Sequence, residues 1–101
     1  MRVQNVSRTG AGSTSALVMN TNTNPFNVGF GVVVSGTVNY TVQHTFDDPT
    51  GTLTTWFNHP VVASQTANID GNYAFPVTAI RLTVNSGAGT ATLRLVQAGI
   101  A

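Results

Sequence analysis

Five side chains could carry acid–base or metal chemistry: two imidazoles and three carboxylates, namely His44, His59, Asp47, Asp48 and Asp70. Histidine is the usual general base near neutral pH. Two carboxylates held across a cleft can hydrolyse a glycosidic bond, and imidazoles together with a carboxylate can bind a transition metal. These are the three kinds of site that the sequence has to support or exclude.

The positions of these residues favour structural roles. Asp47 and Asp48 are neighbours in "DDPTG", a turn sequence in which aspartate is preferred because its side chain bonds to nearby backbone. His44 continues an apolar run and His59 precedes Pro60, so each is predicted to be a hydrogen-bonded structural residue. The chain has no GxSxG nucleophile elbow, and the histidine spacing is not diagnostic of a metal site. We therefore predict no catalytic residue, no metal, no cofactor and no enzymatic activity.

The elements that would position these residues are predicted from the stretch "NPFNVGFGVVVSGTVNYTVQHTFDDP", residues 24 to 49. It contains two runs with an apolar or aromatic side chain at every second residue, Phe26, Val28, Phe30, Val32 and Val34, then Val38, Tyr40, Val42, His44 and Phe46. A hairpin whose three-residue loop is 34 to 36 brings both sets to one face. This register predicts a left-handed Gly36, Phe30 opposite Tyr40, and Phe26 opposite His44.

The remaining segments also favour strands. Residues 77 to 85 and 90 to 98 alternate in the same way around "SGAG", which predicts a second hairpin. Short strands are predicted at 16 to 19 and 53 to 57, and a tight turn at Asp70-Gly71. No segment of ten or more residues has a helical period.

These elements predict an all-β fold, a small antiparallel β-sandwich or jelly-roll-like barrel with a flexible N-terminal arm. The arm is predicted at residues 1 to 14, because the first eight residues alternate poorly and "TGAGSTS" is small and polar. Residues 15 to 101 then form the β-sandwich domain.

Charge is scarce in this chain. Charged residues make up 7% of its 101 residues, and lysine, glutamate and cysteine are absent, whereas an ordinary domain carries about a quarter charged residues. Charge depletion is typical of interface cores, which favours a surface covered by copies of the chain or by a partner over an ordinary thermolabile β domain. Four arginines are too few for a phosphate track, and no apolar run approaches the roughly 20 residues of a membrane span. We expect neither nucleic acid nor membrane as a partner.

Two segments carry a resemblance. "NPFNVGFGVVVSGTVNYTVQHTFDDP" and "NYAFPVTAIRLTVNSGAGTATLRLVQAG", and especially "VNYTVQHTFDD" and "AIRLTVNSG" within them, resemble small virion proteins of tailed bacteriophages. The resemblance covers residues 16 to 99, and small all-β phage proteins of this size include capsid decoration, or cement, proteins. It implies a structural protein made in the host cytoplasm and located on the capsid surface, where it binds the major capsid protein and stabilises the shell.

Self-association as a homotrimer or homodimer would suit that role, because many weak contacts add through effective concentration. Residues expected to contact the capsid or a second copy lie in the arm and in the tryptophan segment; they are Arg2, Val3, Val6, Arg8, Trp56 and Phe57. Two alternatives remain open at this point. The protein could be a tail, fibre or adaptor component, or a carbohydrate-binding module that stacks Trp56, Phe57 and Tyr73 on sugar rings.

Overall fold

The computed structural model describes residues 2–19, 27–48, 51–52, 54–73 and 76–97. These ranges contain nine strands: β1 (Arg2–Thr9), β2 (Gly12–Ser13), β3 (Leu17–Val18), β4 (Val28–Ser35), β5 (Asn39–Thr45), β6 (Phe57–Asn58), β7 (Ile69–Tyr73), β8 (Ala79–Ser86) and β9 (Thr90–Gln97). They include no helix, and so none that is long and apolar enough to cross a membrane. The all-β prediction is confirmed.

The strands form two antiparallel sheets. The first sheet has the order β1-β9-β4-β7, and the second has the order β2-β8-β5-β6 with β3 also paired to β8. The pairs are nested along the chain: β1 with β9, β2 and β3 with β8, β4 with β7, and β5 with β6. A long hairpin rolled up in this way is a jelly roll, so the predicted sandwich with jelly-roll character is confirmed.

The predicted hairpin between the two alternating runs is wrong. The runs are strands β4 and β5, but β4 pairs with β7 and β9 in the first sheet, whereas β5 pairs with β6 and β8 in the second. Alternation fixes which side chains face the core, and two strands can share a core from opposite sheets as well as from one sheet. Phe30 and Tyr40 are therefore not cross-strand neighbours. The predicted pair of Phe26 and His44 cannot be compared, because Phe26 lies outside the described residues.

The predicted hairpin around "SGAG" is also wrong. This segment joins β8 of the second sheet to β9 of the first, so the two strands share the core from opposite sheets. The two inter-sheet turns, at 36–38 and 87–89, lie backbone to backbone. Gly89 N donates to the Thr37 carbonyl oxygen over 2.9 Å, and a side chain on Gly89 would lie 2.5 Å from the Ser35 carbonyl oxygen. Gly36 is left-handed as predicted, with φ 82°, and a Cβ there would lie 3.2 Å from Gly89 Cα.

The predicted alternation is confirmed in the core. Inward positions are buried in β4, β5, β8 and β9, and the largest fully buried side chains are Tyr40, Tyr73, Ile80, Leu82, Leu93, Leu95, Gln97, Val28, Val32, Val38, Val42 and Val62. Phe46 departs from the pattern, since it lies just beyond β5 and is 54% exposed.

The N-terminal segment is not a detached arm in the structure. Arg2–Thr9 pairs with β9 along its whole length, and Gly12 and Ser13 pair with β8. The expected arm therefore supplies an edge strand to each sheet. Val6 is partly buried against the core, which explains how a weakly alternating segment is held in place. The boundary at residue 15 stays a prediction.

Two further local predictions are corrected. Asp70 and Gly71 lie inside β7 rather than in a tight turn. A Cβ at 71 would lie in tight contact with the Phe30 ring at 3.0 Å and in ordinary contact with the His59 ring at 3.4 Å, so glycine lets these rings pack closely on β7. The short strand predicted at 53 to 57 appears as Phe57–Asn58, while residues 54 to 56 are not in a strand. The strand predicted at 16 to 19 is confirmed as β3.

Candidate interaction surface

Both histidines lie in one aromatic cluster between the sheets. His44 comes from β5, Tyr73 from β7, Phe30 from β4, and His59 from the segment after β6. The Tyr73 ring centroid is 5.0 Å from those of both His44 and His59, and Phe30 is 5.2 Å from His59. His44 and His59 are 5% and 7% exposed, so both rings are part of the packed interior.

The hydrogen bonds of His59 indicate its tautomer. Its Nδ1 accepts from the backbone N–H groups of Val61 and Val62 over 3.2 and 3.0 Å. Because Nδ1 is an acceptor, the ring proton is on Nε2, which donates to the Asn72 carbonyl oxygen over 3.2 Å. The ring thereby joins the loop after β6 to β7, which is a structural function.

His44 is held neutral by its surroundings. Burial lowers its pKa, and the nearby His59 lowers the pKa further. Its Nδ1 lies 2.9 Å from the Tyr73 hydroxyl, whose pKa is raised by burial. Neutral groups are favoured in this cluster because charge is costly away from water.

The carboxylate of Asp47 is committed to the backbone. Its Oδ2 accepts from the N–H groups of Thr54 and Thr55 over 2.8 and 2.9 Å. These bonds, led by the one from Thr55, lower the pKa of Asp47. The predicted turn role of Asp47 is confirmed. Among the described residues there is no pocket and no group of three side chains that could hold a metal ion.

The interaction residues predicted from the sequence fall into two separate places. Val3, Val6 and Arg8 lie on β1, one end of the first sheet, whereas Trp56 and Phe57 lie in and beside β6, the far end of the second sheet. Arg2 belongs to β1, but its side chain lies outside the described residues. The structure does not bring the two groups together.

On β1, exposure alternates along the strand. Val3 is 57% exposed, Val6 packs against the core, and the Arg8 guanidinium turns back to donate to the carbonyl oxygens of Gly10 and Ala11. Arg8 is therefore used within the chain, while Val3 is accessible. The outer edge of β1 has no hydrogen-bonded strand beside it within the described residues.

The second place is an aromatic patch, defined by Phe46 and Phe57 over the His44 ring. Phe57 is 48% exposed and lies 5.7 Å from Phe46 and 5.9 Å from His44 between ring centroids. The Arg81 guanidinium lies over the Trp56 ring, 4.3 Å from the ring centroid. Sequence reasoning missed Phe46 because its place in the alternating run predicted an inward side chain.

Neither a protein-family model nor a curated protein matches the sequence. Among solved structures, the fold is similar to a protein chain of Bacillus endospore appendages, described as a novel family of disulfide-linked pili. The TM-score is 0.53, with 13% identity over 99% of this chain and 87% of that chain. At this identity the likeness is one of fold. The present sequence has no cysteine, so it cannot form disulfide links.

Proposed function

We propose that this protein is a non-enzymatic structural subunit of a bacteriophage particle, present in many copies on the head as a decoration protein. The observation that carries the proposal is the outer edge of β1. It is eight residues long, pairs with β9 without a register shift on its inner side, and contains neither proline nor lysine. Natural proteins usually protect such an edge, because it can pair with another chain.

The edge of β1 offers a defined way to attach. A strand of a neighbouring subunit could add to it by β-augmentation, with main-chain hydrogen bonds supplying affinity. Arg8 does not guard the edge, since its guanidinium is bonded to Gly10 and Ala11. Scarce charge across the chain supports the same role, because a charge-poor surface favours association over free solution.

The location on a phage head rests on the sequence resemblance described above. The fold likeness to a chain of pilus-forming endospore appendages supports the coarser part of the proposal, a structural protein that assembles with other copies. It also favours a second candidate, in which copies of this protein polymerise into an appendage of their own. That polymer would have to be held without disulfides, since the sequence has no cysteine.

The proposal is tested with expanded phage heads that lack the protein. Wild-type protein should saturate the heads, and Val3→Lys should reduce occupancy at least about tenfold, because a lysine beside an edge opposes strand addition. Val61→Lys is the matched control, since Val61 is exposed to a similar degree in a loop, 63% against 57%. Filaments formed by the protein alone, without head binding, would favour the appendage. Equal binding by both variants would exclude the β1 edge.

A further inference from the structure

The outer face of the first sheet carries few charged residues, and most of its outward positions are exposed. We define it by the outward positions of four adjacent strands: Val3, Asn5, Ser7 and Thr9 of β1; Thr90, Thr92, Arg94 and Val96 of β9; Gly29, Gly31, Val33 and Ser35 of β4; and Asp70 and Asn72 of β7. Arg94 and Asp70 are the charged side chains of this set. Val33 and Val96 are 46% and 39% exposed.

The two charges flank a glycine. Gly31 is the register partner of Asp70 in β7 and of Arg94 in β9. The charged residues are therefore two strand spacings apart, or about 10 Å between backbones. Both are exposed, and among the described residues they form no ion pair with each other or with another side chain. Between them, a Cβ built on Gly29 or Gly31 would meet nothing within 4 Å.

We infer that this outer face binds the same face of a second copy of the chain, with a two-fold axis running along β4. Such an axis exchanges the β9 side with the β7 side. It places Arg94 of each copy over Asp70 of the other, which forms two equivalent ion pairs. An isologous contact of this kind is the usual form of a homodimer interface.

The charges also disfavour the other in-plane axis at the same position. A two-fold axis perpendicular to the strands and passing over Gly31 would leave β9 over β9 and β7 over β7, and would set Arg94 and Asp70 each against its own copy. Like charges directly opposed at an interface are unfavourable. With the axis along β4, Val33 meets its counterpart, while Gly29 and Gly31 let the two backbones approach.

The size of the face determines the strength of the contact. Overlap of three strands covers about 15 Å by 20 Å, or about 300 Å² per copy. That is below the roughly 800 Å² per partner of a stable complex, so the isolated dimer should be weak. It would contribute when many copies are held on one particle, where effective concentration is high. The inference thus rests on the self-association in the proposed function and names its surface.

The test uses two charge reversals, Arg94→Asp and Asp70→Arg. Each variant alone opposes like charges twice in the dimer, so sedimentation equilibrium up to about 1 mM should show at least about tenfold weaker dimerisation than wild type. An equimolar mixture of the two variants should dimerise like wild type, since each mixed contact again joins opposite charges. The double variant should also recover dimerisation.

Folding and surface controls keep the result interpretable. Both substitutions are at exposed positions, and thermal unfolding should be unchanged. Gly31→Val should also weaken dimerisation without lowering stability, whereas Ala88→Val, at an exposed turn position, should do neither. Dimers that persist in the single variants, or a mixture no stronger than its components, would overturn this interface while leaving head binding through β1 intact. The dimer interface would also be overturned if the wild-type chain stayed monomeric at every concentration and yet bound heads. If the wild-type chain neither dimerised nor bound heads, the proposed function would be excluded as well.

Discussion

At the residue scale, the histidines are explained by hydrogen bonding and packing. The sequence predicted a hydrogen-bonded structural role for both, and the structure confirms it for His59 through Val61, Val62 and Asn72. Their partners could not be predicted, because Tyr73 is 29 residues from His44 and Asn72 is 13 residues from His59. Only the folded topology brings β5, β6 and β7 to one cluster.

This cluster predicts an acid-sensitive fold. The folded protein holds His44 with a lowered pKa, so below the ordinary value of about 6.5 the unfolded chain binds more protons. The contribution of His44 to the free energy of unfolding is therefore expected to be fully present well above pH 6.5 and to fall as the pH drops below about 6.5, until the lowered pKa is passed.

Urea unfolding at intervals from pH 8 to pH 5 measures this dependence. His44→Asn is the matched variant, and its stability should fall less steeply over that range because its side chain cannot take up a proton. Asp47 adds a separate loss at lower pH, since a carboxylate with a lowered pKa stabilises the fold above its ordinary pKa of about 4. Identical slopes for wild type and His44→Asn would show that His44 does not cause the effect.

At the element scale, strands were predictable and their partners were not. The alternation in 28–35, 39–45, 79–86 and 90–97 set which side chains face the core, and the structure buries those side chains. The predicted pairing is wrong for both hairpins. Strands in one sheet and strands in facing sheets show the same alternation of apolar side chains, so the pattern does not say which strands pair. The turn glycines did not reveal the error, since glycine is also expected in a hairpin loop, and only the structure shows that the two turns pack on each other.

The paired turns therefore predict a sharp difference between glycines. Gly89→Ala should lower the free energy of unfolding by more than about 2 kcal/mol, because its methyl group would meet the Ser35 carbonyl oxygen at 2.5 Å. Gly29→Ala is the matched control on β4, where a Cβ meets nothing within 4 Å, and it should change stability by less than about 0.5 kcal/mol. Chemical denaturation measures the free energy of unfolding of both variants. Equal losses would mean that the two turns are not packed as described.

At the scale of the whole molecule, uncharged polar contacts link neighbouring strands on the outer faces of both sheets. Cross-strand hydroxyl pairs join Ser7 to Thr92, Thr9 to Thr90 and Ser13 to Thr83 over 2.9, 2.7 and 2.9 Å. These contacts satisfy hydrogen-bonding groups on the outer faces without using the charged side chains that keep monomers from associating in solution. The small number of charged residues can be read from the sequence. Only the sheet order shows which surfaces of the fold lack charged residues.

The jelly roll also separates its candidate interaction surfaces. The β1 edge and the aromatic patch lie at opposite ends of the strand orders, and the outer face of the first sheet lies between its edges. A subunit with several such surfaces can bind a shell and its neighbours at once. Sequence reasoning named candidate residues in two segments of the chain, and it could not predict that the strands carrying them lie at opposite ends of the strand orders.

The most direct test of the proposed structural role is a cryo-EM map of phage particles produced by the genome that encodes this protein. The proposal predicts density for the jelly roll at many equivalent positions on the outside of the head, with β1 against the shell or a neighbouring subunit. Density confined to the tail or to a single vertex, or a particle without the protein, would contradict it.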